Sequence, residues 1–379
     1  MAEWTFGPND PAAVKIWSHR LFKQYITKTI AWKLANISSD HTSEENICQI
    51  LEDTQKGPGQ NITYDLVAKL SGPGVQGDAE IAGNEESLTI FTTSMNIDQL
   101  REAVKVRGAM SQQRVPIPMR ETARVRIGDW WKERDNIGLI NQLTGNTVQT
   151  DPKYTGLNAP TLPDIYHNQG PNIQGVIASG PRFDATLPIG TNELALQAGD
   201  LFTMDLILNL VMTSQTTQYP IRPIKLKGLE INGVLLLHPL QVRSLKRNFS
   251  NGQWGDIQKA AMNGGQITGN PIFTGAIGMY EGVVIHADAS MPYGNGTERL
   301  SRNPVGVAKV ARGVFCGSQA VCMAMGRAYD SPGKMKWFEE LMDAGNQLRV
   351  TAGKIYGIKK NVFDSQDFAT ITISTYEVQ

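Results

Sequence analysis

Gly57-Pro-Gly-Gln-Asn-Ile-Thr-Tyr-Asp-Leu-Val-Ala-Lys-Leu70 and, further on, Leu88-Thr-Ile-Phe-Thr-Thr-Ser-Met-Asn-Ile97 set the architecture of this chain. In the first run Ile62, Tyr64, Leu66, Ala68 and Leu70 share one face, and Asn61, Thr63, Asp65 and Lys69 lie on the other. Successive side chains of a strand point to opposite faces, so period two predicts a half-buried strand. Between the runs, Ser71-Gly-Pro-Gly-Val-Gln-Gly-Asp78 is dense in turn formers. Residues 57–107 therefore read as a long β-hairpin with a glycine-rich tip. Ten strand residues reach roughly 33 Å. A two-stranded hairpin is marginal alone in water. Unless it lies on its own domain, this one needs a partner molecule, which points to an assembly and away from a self-contained enzyme.

The flanks supply stiffer pieces. Residues 11–37 predict an amphipathic helix, with Asp10 as N-cap and Pro11 at the first position. Val14, Trp17, Leu21, Tyr25 and Trp32 share one side. It reads either as a core-packing helix or as an arm on a neighbouring subunit. A short helix through Ile47, Ile50 and Leu51 follows a capping-box loop. After the hairpin, residues 98–107 form a helical or extended return. Met119 to Leu143 is free of proline, and Ala123, Ile127, Trp130, Trp131, Ile137, Ile140 and Leu143 recur near the helical period. Gly145-Asn146 stops this helix. Its 25 residues span about 38 Å at the helical rise per residue, a stiff spine beside a long hairpin. The Trp130-Trp131 pair reads as core; a base-stacking role needs a basic surround that this stretch lacks.

Downstream, residues 151–190 are punctuated by prolines and read as a long surface excursion. Residues 191–210 predict a helix, with Gly199 as a possible break. From Lys227 the pattern turns α/β-like. Strands are expected at 230–237, 282–286 and 305–310, and helices at 240–247 and 256–262. An apolar run follows at 315–325, and strands at 347–358 and 369–376 close the chain.

Composition narrows the function. Thirty-six basic residues balance 36 acidic ones, so no bulk charge drives binding to nucleic acid or anionic membrane. No window approaches 18 uninterrupted apolar residues, so no membrane span is expected. The N-terminus lacks a charged start followed by an apolar stretch, which argues against a signal peptide. Cys48, Cys316 and Cys322 fit free thiols in a reducing compartment, and the last two read as core.

Chemistry finds no anchor. His238 follows a buried strand and could act as a base at a strand end. No Gly-x-Ser-x-Gly elbow accompanies it, and it reads as structural. His286 and Asp288 could supply two metal ligands, fewer than a site needs. Gly264-Gly-Gln-Ile-Thr-Gly269 lacks the Gly-Lys-Ser/Thr ending of a phosphate loop. Glu339, Glu340 and Asp343 read as a solvated helix face. No catalytic, cofactor-binding or metal-binding residue is assigned, and no cofactor is expected.

Several strings in the second half are more specific. Leu235-Leu-Leu-His-Pro-Leu-Gln-Val-Arg243 is followed by Trp254-Gly-Asp-Ile-Gln-Lys-Ala260 and Asn270-Pro-Ile-Phe-Thr-Gly-Ala-Ile-Gly278. Then come Gly282-Val-Val-Ile-His286, Cys316-Gly-Ser-Gln-Ala320, Trp337-Phe-Glu-Glu340 and Ile355-Tyr-Gly-Ile-Lys-Lys360. In this order they resemble the major capsid proteins of tailed bacteriophages, in the branch typified by a large-virion podophage. The resemblance covers most of residues 57–379.

It implies an α+β, HK97-like capsid fold. Residues 1–56 are then an N-terminal arm and helix, and 57–115 the extended hairpin, or E-loop, lying across a neighbouring subunit. Residues 116–229 hold the spine helix and peripheral domain, 230–335 the axial domain, and 336–379 strands returning to the peripheral domain. The implied function is a non-enzymatic shell subunit that self-assembles into pentamers and hexamers of an icosahedral head enclosing double-stranded DNA. Implied partners are other copies of itself, a portal at one vertex, a scaffold, decoration proteins and non-specifically contacted DNA, without membrane. Such a subunit is assembled in the bacterial cytoplasm and resides in the virion. The first helix starts close to residue 1, so no fused scaffold is expected. An encapsulin-like nanocompartment shell shares the fold and is the first alternative; a soluble α/β enzyme is the second.

Overall fold

The computed structural model describes residues 20–21, 46–51, 59–106 (apart from 68, 69, 71, 73, 78 and 79), 108, 110, 113–114, 119–146, 157–161, 172–174, 201–216, 220–247 (apart from 227 and 228), 276–294, 310–326 and 335–377 (apart from 364 and 365). Most of the expected first helix and the whole of the expected helix at 256–262 lie outside the described residues; Arg20 and Leu21 are helical.

The two runs of the opening stretch pair as read. Strands β2 (Asn61–Val67) and β3 (Ile90–Asn96) are antiparallel, with Asn61 opposite Asn96 and Val67 opposite Ile90. The return at 98–106 is extended, not helical. As β4 (Asp98–Val106) it pairs residue by residue with the long strand β15 (Gln347–Lys360). Thus one continuous stretch leaves the hairpin at Ile97 and enters a different sheet.

That first sheet is built around β15. Its other edge carries β14 (Lys336–Met342) and then β13 (Val321–Met325), both antiparallel to it. Beyond β13 lies β1 (Cys48–Leu51), parallel to it. The helix expected through Ile47, Ile50 and Leu51 is therefore a strand. Four residues are too few to stabilise an isolated helix, and the edge of β13 offers alternate residues of the segment ladder hydrogen bonds.

Helix α1 (Met119–Leu143) has the predicted bounds and lies on this sheet. Ala123, Ile127, Trp131, Leu139, Ile140 and Leu143 are buried. Trp131 meets Tyr356 of β15 edge-on at 6.0 Å and Trp130 at 5.0 Å, so the tryptophan pair belongs to the packing of helix on sheet. The stop signal works as a Schellman motif. Asn146 N–H donates to the Asn141 carbonyl (2.9 Å) and Gly145 N–H to that of Gln142 (3.2 Å), with Gly145 at φ 61°.

The second sheet runs in the order β5 (Asn172–Gln174), β18 (Thr370–Tyr376), β12 (Val310–Cys316), β8 (Gly233–Leu237), β10 (Val283–Ala287) and β9 (Ala276–Tyr280), with β11 (Tyr293–Gly294) on β12. β8 and β10 are parallel, and every residue of β8 is buried, as expected for a strand covered on both faces. Each fully buried Val, Leu or Ile there contributes about 1.5–3 kcal/mol relative to exposure. Two short antiparallel pairs complete the described strands: β6 (Ile224–Leu226) with β7 (Leu229–Ile231), and β16 (Val362–Phe363) with β17 (Gln366–Asp367).

Several expected bounds shift. The helix expected at 191–210 is α2 (Met204–Thr216); residues 191–200 lie outside the described residues, and Asp205 in its first turn favours the helix N-terminus. The strand expected at 230–237 breaks at Asn232, which turns aside to bond Glu281 and Gly282. Of the strand expected at 305–310 only Val310 is described, and it opens β12. The apolar run 315–325 is not one element: β12 ends at Cys316 in one sheet and β13 starts at Val321 in the other. Residues 336–379 likewise feed both sheets, through β15 and β18. Helix α3 (Pro239–Arg247) follows β8 as predicted.

Candidate functional site

The hairpin changes character along its length. At its root Ile62, Met95 and Ile97 pack with Cys322 and Ala324 of β13 in a small second core. Tyr64 donates its hydroxyl to Asn361 Oδ1 (2.7 Å) and meets Phe363 edge-on at 6.0 Å. Lys359 Nζ donates to the Ser94 carbonyl (2.5 Å). Toward the tip this cover ends. Val67, Leu70, Ile81, Leu88 and Ile90 are between 52% and 67% exposed. Clustered exposed apolar side chains mark interaction surfaces. The tip has its own order: Gly72 N–H donates to Glu86 (2.6 Å), Gly83 N–H to Glu85 (2.7 Å), and Gly74, Gly77 and Gly83 hold positive φ.

The face of the first sheet turned away from α1 carries a groove of about 550 Å³ lined by Gln99, Arg101, Lys336, Phe338, Arg349 and Thr351, among others. Phe338 is exposed there, and Arg349 pairs with Glu340.

The other face, under α1, holds buried ionic ties. Lys354 of β15 pairs with Asp135 of α1, and its ammonium stands 4.9 Å from the Trp131 ring centre and 4.1 Å from that of Tyr356. Burial raises the Asp135 carboxyl and lowers the Lys354 amine, each opposed by the charge of the other. Glu339 takes two 2.8 Å contacts from the Arg120 guanidinium and one from Trp337 Nε1, also 2.8 Å. The acidic group read as a solvated helix face is thus partly a strand, with Glu339 buried beneath α1. Alternation decides this: Phe338 and Glu339 sit on opposite faces of β14. Lys360 bonds Asp367 (2.8 Å). Arg312 of β12 donates to the Thr144 carbonyl at the end of α1 (2.8 Å), tying the second sheet to the spine.

His238 serves α3. Its ring Nδ1 accepts from Leu240 N–H (3.2 Å), while its backbone N–H donates to Gln241 Oε1 (3.1 Å). This is a reciprocal capping box with histidine as N-cap and Pro239 at the first helical position. The ring stacks on Tyr293 at 5.2 Å, and burial lowers its pKa against the charge of Asp288. Gln241 Nε2 bonds Thr375 and the Ala311 carbonyl, fixing α3 on β12 and β18. His238→Ala is expected to cost about 1 kcal/mol of stability, the usual value of a lost cap. Urea unfolding checks this; unchanged stability would contradict the capping role.

Asp288 sits in a turn, accepting from Ser290 N–H (2.8 Å). Among the described residues no group of three or more His, Cys, Asp or Glu side chains is placed to hold a metal. Cys48, Cys316 and Cys322 are free and buried, and burial pushes the Cys322 thiol up to about 11 and the other two upward as well. A thiol held protonated is a poor nucleophile and metal ligand.

A rooted hairpin with a bare outer half, a spine helix laid on the sheet below it, and a second sheet joined to the helix end together form an α+β, HK97-like capsid fold. The chain belongs to the phage capsid protein family, whose profile matches residues 5–379. The major capsid protein of Pseudomonas phage KPP25 is 27% identical over 375 residues, covering 94% of this chain and 93% of that one. The capsid of Ralstonia phage GP4 superposes with a TM-score of 0.74 at 26% identity, over 93% of this chain and 92% of that one. The cyanophage Pam1 capsid shares the fold, with a TM-score of 0.63 at 18% identity over 89% and 90% of the two chains. The chain is a structural protein of the phage head shell. Neither the nanocompartment nor the soluble enzyme is favoured by this match.

Proposed function

We propose that copies of this chain assemble into the pentamers and hexamers of an icosahedral head enclosing double-stranded DNA. The observation that carries this reading is the exposed apolar outer half of the hairpin, which needs a second molecule to cover it. In this reading the hairpin, within residues 57–115, is the E-loop and lies across a neighbouring copy. The acidic residues of its outer part, Asp65, Glu80, Glu85 and Glu86, suit the Arg101 and Lys336 side of the groove on the neighbour's first sheet. An N-terminal arm lies in 1–56. The spine helix and peripheral unit occupy 116–229, the axial unit 230–335, and 336–379 holds the strands that return to the peripheral unit.

The subunit works by association and carries out no catalysis. Its further partners are a portal at one vertex, a scaffold, decoration proteins, and packaged DNA contacted through charge and not sequence. Assembly takes place in the bacterial cytoplasm, and the product is the virion. Electron microscopy of particles from infected cells, with nuclease treatment before extraction, tests this. Closed icosahedral shells with protected DNA are expected. A monomer or small oligomer in native extract, or shells filled with protein cargo, would sink it.

A further inference from the structure

The hairpin leaves the first sheet at one elbow, where β3 ends at Asn96 and β4 begins at Asp98. Four features meet there, drawn from distant parts of the chain. The Asn158 side chain makes both hydrogen bonds of a strand partner to one residue: its Oδ1 accepts from Asn96 N–H (3.0 Å) and its Nδ2 donates to the Asn96 carbonyl (2.7 Å). Gln142, in the last turn of α1, donates to the Asn158 backbone carbonyl (2.9 Å) and accepts from Lys360 N–H of β15 (3.3 Å). Gly357 of β15 makes room, since a Cβ there would stand 2.2 Å from the Asn96 carbonyl oxygen and 3.1 Å from Asn158 Nδ2. Leu157, just before Asn158, has φ 70°, a conformation that bulky side chains rarely adopt. Such strain persists where the surroundings over-determine it. Here it accompanies a neighbour, Asn158, that is buried against the elbow while Leu157 itself is exposed.

We propose that Asn158 is the positioning residue of the hairpin. By standing in for a strand at Asn96 it fixes the angle at which β2 and β3 project from the subunit, and Gln142 couples that angle to the end of the spine helix. The role rests on the reading that the hairpin docks on a neighbouring copy, because only then does its projection angle set the geometry of the shell.

Hydrogen exchange of unassembled subunits, followed by electron microscopy of the assembled product, tests the proposal. Asn158→Ala removes both bonds to Asn96 and leaves the Gln142 bond, which goes to backbone. Exchange over 61–67 and 90–97 should rise about tenfold or more, the factor expected from loss of a hydrogen bond or two, while 347–355 stays as in the wild type. Shells should become mixed in size or remain open. Gly357→Ala, which displaces Asn96 from the other side, should do the same. Leu157→Gly, which keeps the positive φ without strain, should leave exchange and shells unchanged. Unchanged hairpin exchange in Asn158→Ala overturns the proposal, and so does an increase spread evenly over β13–β15, the mark of a merely structural residue. Selective loosening with normal shells also overturns it. Failure of the docking reading is a separate result: wild-type hairpin amides would gain no protection when subunits assemble.

Discussion

Lys354→Met is expected to lower subunit stability by about 3–5 kcal/mol at neutral pH, the cost of leaving one member of a buried ion pair alone. The side chains of Lys354 and Asp135 are 1% and 0% exposed, so water cannot replace the lost partner. The variant strands a carboxylate beneath α1, beside Trp131. Its remaining route is to take up a proton, which burial already favours. The sign of the pH dependence follows. In the unfolded chain the carboxyl gives up its proton near its ordinary pKa, around pH 4. In the folded variant it gives it up at higher pH. Between the two values the folded state holds the extra proton, so stability falls as pH rises and the deficit of the variant grows from pH 5 to pH 8. Asp135→Leu combined with Lys354→Met should recover most of the loss, because apolar replacement of both partners removes the desolvation cost as well as the attraction. Urea unfolding of unassembled subunits at the two pH values checks this. A single variant within 1 kcal/mol of the wild type would show that the pair is not isolated from solvent.

Deletion of residues 71–84 is expected to abolish shell closure while leaving the fold intact. The described hydrogen bonds of this stretch are local, to Glu85, Glu86 and one another. None reaches either core, so subunit stability should change by no more than about 0.5 kcal/mol, as for surface changes generally. Assembly is another matter. The deletion removes exposed Ile81 and draws Leu70 and Leu88 toward a shortened turn, taking away much of the apolar surface offered to a neighbour. Interfaces that persist bury about 1,200–2,000 Å² in total, and the outer hairpin offers five exposed apolar side chains among the described residues. Sedimentation and electron microscopy should find soluble, folded subunits or open sheets. Normal closed shells would remove the tip from the mechanism of assembly.

The local elements were legible because their signals are local. Alternation within 57–70 and 88–97 located the hairpin strands, which form at Asn61–Val67 and Ile90–Asn96, and proline-free helical periodicity with Gly145-Asn146 behind it bounded the spine helix. His238-Pro-Leu-Gln241 contains a capping box that sequence reading could have found, with Pro at the first helical position and Gln two residues later. The motif is hard to see because the box usually has serine or threonine at its head. The short helix expected at 47–51 failed for a different reason. Its residues suit either state, and only the free edge of β13 decides for a strand.

Tertiary structure alone decided which strands share a sheet, which charges are buried together, and where the hairpin turns. Helical hydrogen bonds close within four residues, so caps and periodicity report them directly. A strand is completed by a partner that can lie anywhere in the chain, and nothing in 310–325 announces that its two halves belong to different sheets. Asp135 and Lys354 are 219 residues apart, and Asn96 and Asn158 are 62 apart. The length and polarity of the hairpin arm were thus written in its own residues. The elbow that aims it exists only after α1, β15 and the 157–161 segment have packed around Asn96.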